Sequence, residues 1–218
     1  FSATLLPVGY YKSLLSTKTD NYAVYAKTAF SKEQSLLLIG GDVSSRYTRR
    51  TPEEFARIAE YVLKTAQARK GNYMVFFPSY KMMRQVYEVF CGLNGGDAEQ
   101  GLVACIVQEP GMTEAGREEF LASFSAEASA GRDRSLVAFC VLGGIFGEGI
   151  DLKHEQLIGA VIVGTGLPQV GNEREILMKY YDSRSGEGFD YAYRYPGMNK
   201  VLQAAGRVIR TVEDTGVI

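Results

Sequence analysis

The chain has 218 residues, 46% of them hydrophobic, so it is long enough to bury one sizeable core. Its 24 basic and 25 acidic residues give a net charge of −1, which excludes overall basicity as a source of nucleic-acid affinity. No apolar run reaches the ~20 residues that cross a bilayer, and the N-terminus lacks a signal sequence, so we expect a cytoplasmic protein, or a nuclear one in a eukaryote.

The first residues read F-S-A-T-L-L-P, without an initiator methionine. We therefore expect a piece of a longer polypeptide. Taken alone, Ser2-Ala3-Thr4 would be the end of a strand without a function of its own. After a mixed polar stretch, the apolar run Leu36 to Ile39 predicts a short buried strand.

A basic loop, S-S-R-Y-T-R-R, follows that predicted strand. Arg46, Arg49 and Arg50 form the densest basic cluster of the chain. Contact with phosphate and simple solvation both remain open for this loop. Thr51 is placed to cap a helix that we predict to end near Lys70.

A predicted strand from Tyr73 to Phe77 leads into a helix that begins near Tyr80. Ser79 is positioned as its N-cap, so backbone N–H groups point out of the end of the helix. A phosphate would fit there, and Lys81 would assist. An ordinary turn from strand to helix with a serine cap explains the same residues.

Short apolar strands and helices alternate in the rest of the chain. We predict strands at 102–107, 135–142 and 157–163, and helices at 113–128 and 172–182. Parallel strands need long crossover connections, which helices of this length provide. The sequence therefore predicts an α/β fold with a mostly parallel sheet.

The stretch G-G-I-F-G-E-G-I-D-L follows the most apolar strand. Gly144 and Gly149 have the spacing of a phosphate-binding P-loop, but Ile150 and Asp151 stand where Lys and Ser or Thr are required. A P-loop is therefore excluded. Glu148 and Asp151 also resemble an acid and base pair, but nothing else in the chain supports hydrolysis by two carboxylates.

The stretch G-T-G-L-P-Q-V resembles a dinucleotide fingerprint only in part. Gln169 occupies a position that the fingerprint reserves for glycine, and Pro168 delays the helix that should begin at once. A Rossmann cofactor site is therefore excluded.

Further along, an aromatic segment surrounds Arg194 in the loop that we predict before the last helix. Tyrosines at 191, 193 and 195 would either stack on bases together with this arginine or pack the loop.

Nucleophiles and metal ligands are sparse in this sequence. Cys91, Cys105 and Cys140 are odd in number and widely spaced, which indicates core thiols and neither a disulfide framework nor a zinc site. His154 is the single histidine. We expect no catalytic triad and no metal ligands in this chain.

The stretch M-N-K-V-L-Q-A-A-G-R-V-I-R-T, residues 198–211, carries most of the chemical information. Read as one helix, it places Gln203, Gly206, Arg207 and Arg210 on one side and an apolar stripe on the other. Arginine stays charged and offers a fork of donors, so this side suits a polyphosphate. A solvated surface helix would have the same pattern.

Four blocks, in order, resemble motifs of the superfamily 2 helicases, in the form found in XPD/DinG-like DNA helicases. Q-A-A-G-R-V-I-R resembles motif VI, F-G-E-G-I-D-L motif V, F-F-P-S-Y motif IV, and S-A-T motif III. The resemblance covers residues 2–210. It implies a RecA-like fold with three layers, in which helices cover both faces of the sheet.

The resemblance also implies two segments and a set of site residues. Residues 1–20 would be the tail of a first motor domain with a linker, and residues 21–218 the second RecA-like domain. Arg210 would be the arginine finger, and Arg207 would share that role. The other ATP contacts would be Gln203, Gly149 and Asp151. The residues that contact nucleic acid would be Ser79, Tyr80, Lys81, Arg46, Glu148 and Arg194. The residues that couple ATP hydrolysis to movement would be Ser2, Ala3 and Thr4.

By the same resemblance, the parent protein would be an ATP-dependent DNA helicase that moves 5′ to 3′ on single-stranded DNA, in DNA repair. ATP and Mg²⁺ would bind together with the first motor domain, which carries the Walker A and D-E-x-H motifs. We therefore predict that this chain alone does not hydrolyse ATP. Whether the parent holds an iron–sulfur cluster stays open, as does a non-catalytic nucleic-acid-binding or regulatory module with the same fold.

Overall fold

The computed structural model describes residues 7–16, 18, 20, 22–96, 101–147, 150, 152 and 154–218. Within these residues, six strands form one sheet in the order β1-β6-β5-β2-β4-β3, and every pair is parallel. The strands are β1 Ser35–Leu36, β2 Asn72–Phe77, β3 Ala104–Val107, β4 Leu136–Val141, β5 Gly159–Ile162 and β6 Gly216–Val217.

The α-helices are α1 Val8–Leu15, α2 Pro52–Ala68, α3 Tyr80–Leu93, α4 Glu114–Ala122, α5 Ala126–Ala130, α6 Asn172–Ser185 and α7 Tyr195–Ala205. Short 3₁₀ turns cover Lys32–Gln34, Tyr47–Arg49 and His154–Gln156, and a π-helical turn covers Asp190–Arg194. Among the described residues, no helix is both long and apolar enough to cross a membrane.

Two hydrophobic cores lie on opposite faces of the sheet, because successive side chains of a strand point to opposite sides. Val75 and Phe77 of β2 pack with α2 and α3 on one face. Met74 and Phe76 pack on the other face with residues of α4 and α7. All six residues of β2 are buried, as expected for a central parallel strand. The predicted α/β fold with helices on both faces is confirmed.

The predicted helix caps are present. The side-chain oxygen of Thr51 accepts a hydrogen bond from the backbone N–H of Glu54 (3.3 Å), at the start of α2. The side-chain oxygen of Ser79 accepts from the backbone N–H of Met82 (3.3 Å), at the start of α3. These caps satisfy donors that the first turn of a helix leaves without an intrahelical partner.

The predicted buried strand from Leu36 to Ile39 is wrong in length and in burial. Strand β1 covers only Ser35–Leu36, and the exposed fractions of Leu36 and Ile39 are 57% and 86%. Strand β1 lies at the end of the sheet, and its neighbour there is the two-residue strand β6. An apolar run therefore does not ensure burial at a sheet edge.

The helix predicted from Thr113 to Ala128 is divided into α4 and α5. The side-chain oxygen of Ser125 accepts a hydrogen bond from the backbone N–H of Ala128 (3.1 Å) and so starts a new helix. Phe124, between the two helices, is fully buried. Serine can capture backbone donors in this way, which is why it competes with helix continuation.

The helix predicted over 198–211 begins earlier and ends earlier than predicted. The predicted loop before it is largely helical, because the π-helical turn runs directly into α7. At the other end, α7 stops at Ala205, so Gly206, Arg207 and Arg210 lie beyond the helix. The carboxylate of Asp214 accepts hydrogen bonds from the backbone N–H groups of Arg210 (2.7 Å) and Thr211 (2.6 Å), which a continuing helix would have used itself.

Candidate functional site

The carboxyl ends of β2, β4 and β3 lie side by side at one edge of the sheet, since the strands are parallel neighbours. Ser79 and Tyr80 follow β2, Gln108 follows β3, and a glycine-rich turn at 143–147 follows β4. In open α/β sheets this edge is the usual place for ligands. The predicted motif IV residues and the described beginning of the motif V stretch, Phe146 and Gly147, therefore lie at the same edge.

The N-terminus of α3 presents hydrogen-bond donors at this edge. Ser79 and Tyr80 are half-buried, and Lys81 is exposed. The first-turn N–H groups of a helix carry a partial positive charge, which suits an anion such as phosphate. The predicted group Ser79, Tyr80 and Lys81 is thus contiguous and accessible.

Gln108, which sequence reasoning missed, joins the three strand ends. Its side chain is almost fully buried, its Oε1 accepts a hydrogen bond from the backbone N–H of Val141 (2.9 Å), and its Nε2 donates to the hydroxyl oxygen of Tyr80 (2.8 Å). Burial raises the pKa of Tyr80, and the hydrogen bond from Gln108 opposes that rise. The available signal was a glutamine placed directly after the apolar strand A-C-I-V.

Lys200 is a second residue that sequence reasoning missed. Gly143 has a positive φ of 73°, and a Cβ built on it would lie 3.1 Å from Cε and 3.5 Å from Nζ of Lys200. The ammonium group of α7 therefore lies against the glycine turn, where it adds a positive charge to the edge that carries Lys81. The signal was a lysine three residues before Gln203 in a predicted helix.

The two predicted catalytic arginines bind backbone carbonyl groups near the glycine turn. Arg207 donates to the carbonyl oxygen of Gly147 from Nε (3.2 Å) and Nη2 (2.9 Å), and to that of Ile150 from Nη1 (2.9 Å). Arg210 donates from Nη2 to the carbonyl oxygen of Ile150 (2.9 Å). The sequence predicted that both side chains are exposed on one face of a helix. In the structure both are half-buried and lie beyond the end of α7. The tertiary fold nevertheless brings them together.

Asp214 fixes the backbone that carries Arg210. It is buried, and besides Arg210 and Thr211 it accepts from the backbone N–H of His154 (3.0 Å). Desolvation raises the pKa of Asp214, but the hydrogen bonds to its carboxylate outweigh this and leave the pKa below its ordinary value. The side-chain amide of Gln34, directly before β1, also holds this segment of backbone. It donates to the backbone carbonyl oxygens of Thr211, Val212 and Asp214.

Arg46 lies in a different part of the edge from Ser79. It is exposed in the loop between β1 and α2, which the buried carboxylate of Glu54 organises by accepting from Arg49 (3.3 Å) and Arg57 (2.5 Å). A Cβ built on Gly164, just after β5, would collide with the side chain of Ser45, so the loop residue before Arg46 lies at the end of β5, the neighbour of β2. Arg46 can therefore meet the same extended ligand as Ser79.

The predicted residues Gln203 and Arg194 lie on or beside α7. Gln203 is half-buried within that helix. Arg194 is exposed, forms an ion pair with Asp190 (3.0 Å) and places its guanidinium group over the ring of Phe189 (5.9 Å). It keeps solvent access, but its charge is partly neutralised by Asp190.

The tyrosines around Arg194 pack against other protein groups, which was one of the two alternatives. The ring of Tyr191 stacks on that of Tyr181 with centroids 4.3 Å apart, and it meets the ring of Tyr195 at 5.3 Å. Tyr193 is buried and donates its hydroxyl hydrogen to Glu175 (3.0 Å). The cluster extends to Tyr10 of α1, whose ring lies 5.4 Å from that of Tyr191.

Six predicted site residues lie outside the described residues: Ser2, Ala3, Thr4, Glu148, Gly149 and Asp151. All three cysteines are free, and burial raises the pKa of the Cys105 thiol to about 12. Within the described ranges, no group of three His, Cys, Asp or Glu side chains could hold a metal ion.

The parallel sheet, its two helical layers and the glycine turn beside two arginines define a RecA-like α/β domain. The chain belongs to the helicase C-terminal domain family, whose sequence pattern matches residues 62–218. This confirms the predicted resemblance to XPD/DinG-like superfamily 2 helicases. Two solved structures of XPD share the fold, each with a TM-score of 0.63. The apo structure is 23% identical and covers 86% of this chain and 35% of its own. The second structure is 24% identical and covers 84% of this chain and 30% of its own.

Curated relatives agree with this family. The ATP-dependent DNA helicase XPD of Sulfolobus acidocaldarius is 26% identical over 98% of this chain and 36% of its own length. The regulator of telomere elongation helicase 1 of Homo sapiens is 25% identical over 82% of this chain and 15% of its length. The chain thus spans about a third or less of these relatives.

Proposed function

We propose that this chain is the second motor domain of an ATP-dependent DNA helicase. The observation that carries the proposal is the contact of Arg207 and Arg210 with the carbonyl groups of Gly147 and Ile150, next to the glycine turn. This contact supports joint action of motifs V and VI. The parent would couple ATP hydrolysis to 5′ to 3′ movement on single-stranded DNA and to duplex unwinding, in DNA repair.

The two arginines have different roles in this proposal. Arg207 makes three hydrogen bonds to carbonyl oxygens, so it holds the glycine-turn segment in place. Arg210 makes one such bond, to the carbonyl oxygen of Ile150. Arg210 therefore has to break fewer hydrogen bonds than Arg207 before its guanidinium group can bind the γ-phosphate. Arg210 is therefore the arginine finger, and Arg207 supports it. A finger stabilises the negative charge that develops during phosphoryl transfer.

The remaining nucleotide contacts are Gln203, Gly149 and Asp151. ATP and Mg²⁺ bind between this domain and a first RecA-like motor domain, in which we place the Walker A and Walker B residues. Residues 1–20 form the tail of that first domain and a linker, with Ser2, Ala3 and Thr4 in the coupling role. Residues 21–218 form the second domain. The chain by itself does not hydrolyse ATP.

Single-stranded DNA runs along the edge formed by the strand ends. Ser79, Tyr80 and Lys81 meet its phosphates at the N-terminus of α3, where helix donors and a lysine converge. Arg46, Glu148 and Arg194 provide further contacts along the same path. The parent works in the cytoplasm, or in the nucleus of a eukaryote, and any iron–sulfur cluster belongs to its first domain.

The test is ATP hydrolysis by the full-length polypeptide, with and without single-stranded DNA. We expect DNA to stimulate hydrolysis and Arg210→Ala to reduce it by about a thousand-fold while nucleotide binding persists. Arg69→Ala is the matched control, because Arg69 is an exposed arginine paired with Glu155. An inactive parent, or an unimpaired Arg210→Ala variant, would favour the non-catalytic module.

A further inference from the structure

The side-chain amide of Gln108 has only one possible orientation. Its Oε1 faces the backbone N–H of Val141 (2.9 Å), and a backbone N–H group can only donate. The oxygen must therefore lie there, and the NH₂ group must face the hydroxyl oxygen of Tyr80 (2.8 Å). The assignment of amide oxygen and nitrogen, which is often ambiguous, is decided here by the backbone.

The hydroxyl group of Tyr80 is consequently held as an acceptor towards Gln108 and as a donor in another direction. Among the residues that the structure describes, none accepts a hydrogen bond from this hydroxyl group. A half-buried hydroxyl hydrogen favours an acceptor, and the nearby carboxylate of Glu109 is already paired with Arg84 (3.1 Å). The hydroxyl group of Tyr80, the N-terminus of α3 and the ammonium group of Lys81 remain as donors at this place. Such a set of donors is completed by an anion.

We propose that Gln108 is a positioning residue that fixes the hydroxyl group of Tyr80 as a hydrogen-bond donor to a phosphodiester group of single-stranded DNA. The inference rests on the proposed function for the identity of the anion. Gln108 never touches the DNA in this arrangement. It acts through Tyr80, and its rigidity comes from complete burial and from its bond to β4.

Gln108 also connects this contact to the glycine turn. A Cβ built on Gly144 would lie 3.1 Å from Nε2 of Gln108, so the turn packs directly on the amide. The same turn ends at Gly147, whose carbonyl oxygen binds Arg207. Direct contacts within one domain therefore connect Tyr80 to Arg207 through Gln108 and the glycine turn. If DNA binding moves Tyr80, these contacts can transmit the movement to the arginines.

The test is a double-mutant cycle with Gln108→Glu and Tyr80→Phe in the full-length polypeptide. Glutamate at 108 can only accept, so the Tyr80 hydroxyl would turn and donate to it instead of to DNA. We measure binding of a fluorescein-labelled oligothymidine by anisotropy, together with thermal unfolding to confirm that each variant folds. Tyr80→Phe should weaken binding by roughly ten-fold or more, as loss of a hydrogen bond to a charged group does.

Gln108→Glu should weaken binding at least as much when Tyr80 is present. In the Tyr80→Phe background its further effect should be clearly smaller, because only the added negative charge remains to act. An equal loss in both backgrounds would overturn the inference and leave the proposed function standing. If no variant and not even the unmodified protein binds the oligonucleotide, the proposed function falls and the inference with it.

A second readout does not depend on DNA. Replacing a donor to the phenolic oxygen by a carboxylate should raise the pKa of Tyr80, which is followed by NMR of protein labelled at the tyrosine Cζ. Gln67→Glu is the control, because Gln67 lies on the exposed side of α2. An unchanged Tyr80 pKa in the Gln108→Glu variant would also overturn the inference.

Discussion

The side-chain amide of Asn199 in α7 donates a 3.0 Å hydrogen bond to the hydroxyl oxygen of Tyr11 in α1. Asn199 lies one turn before Gln203 on the same helix, and Tyr11 lies in the first described helix of the chain. The bond therefore ties the N-terminal segment to the helix that leads to Arg207 and Arg210. This tie adds to the ring contacts of Tyr10 with Tyr181 and Tyr191.

We predict that Tyr11→Phe lowers the DNA-stimulated rate of ATP hydrolysis of the helicase that we propose, beyond what its small effect on stability accounts for. Loss of one side-chain hydrogen bond should cost about 1 kcal/mol of unfolding free energy. Tyr22→Phe is the control, because the side chain of Tyr22 is 95% exposed. Equal DNA stimulation in both variants would show that the tie between α1 and α7 has no role in coupling.

Arg207→Ala should destabilise the chain more than Arg210→Ala. The first change leaves the carbonyl oxygen of Gly147 without both of its bonds from Arg207, whereas the second removes one bond to Ile150. We expect a loss of about 2 to 3 kcal/mol for Arg207→Ala in urea unfolding. Arg194→Ala, which removes one exposed ion pair, should change stability by less than about 1 kcal/mol. Similar losses for all three variants would contradict the structural role of Arg207.

Asp214→Asn should reduce stability at neutral pH, and the difference from the unmodified chain should disappear in acid. The folded-state pKa of Asp214 is lowered, because backbone N–H groups favour its charged form over the cost of desolvation. Its contribution is therefore complete above the unfolded-state pKa of about 3.9 and is lost as the pH falls through the folded-state value.

Urea unfolding at several pH values measures this effect of Asp214. Asparagine would turn an NH₂ group towards backbone donors, so a loss of about 1 to 3 kcal/mol is expected near pH 7. Asp133→Asn is the control, since the side chain of Asp133 is 95% exposed. A difference between Asp214→Asn and the unmodified chain that stays constant down to pH 2 would contradict the assignment.

Gly197→Ala should destabilise α7 even though alanine favours helices. A Cβ at this position would lie 2.8 Å from the carbonyl oxygen of Thr165 and 3.0 Å from a methyl group of Leu167. We expect a loss of about 1 to 3 kcal/mol, measured by thermal unfolding. The matched control is Gly92→Ala in α3, where a Cβ meets open space and should stabilise by about 0.5 to 1 kcal/mol. Stabilisation by both changes would mean that α7 does not pack on the 164–168 loop.

Local chemistry made the helix starts and the central strands predictable. Thr51 and Ser79 are caps whose side-chain oxygens need only donors three residues away, so short sequence windows contain the whole interaction. The apolar runs that became β2 and β4 are central strands buried on both faces, and for such strands a hydrophobic run is a sufficient signal.

Long-range contacts decided the features that sequence reasoning predicted wrongly or missed. The end of α7 depends on Asp214, and the support of that segment depends on Gln34, which lies 177 positions or more before its partners. In the sequence, Gln108 is one of several polar residues that follow a strand. Its role depends on the parallel sheet, which places its side chain between Tyr80 and Val141.

The sequence by itself determined the family, the α/β class and the residue types of the site, because these follow from local patterns and ordered motifs. Only the tertiary structure decided which side chains meet: Arg207 and Arg210 on the glycine-turn segment, and Gln108 on Tyr80. Hydrogen bonds between distant residues depend on the register of the sheet and on the layers that cover it, and no local window of sequence contains that information.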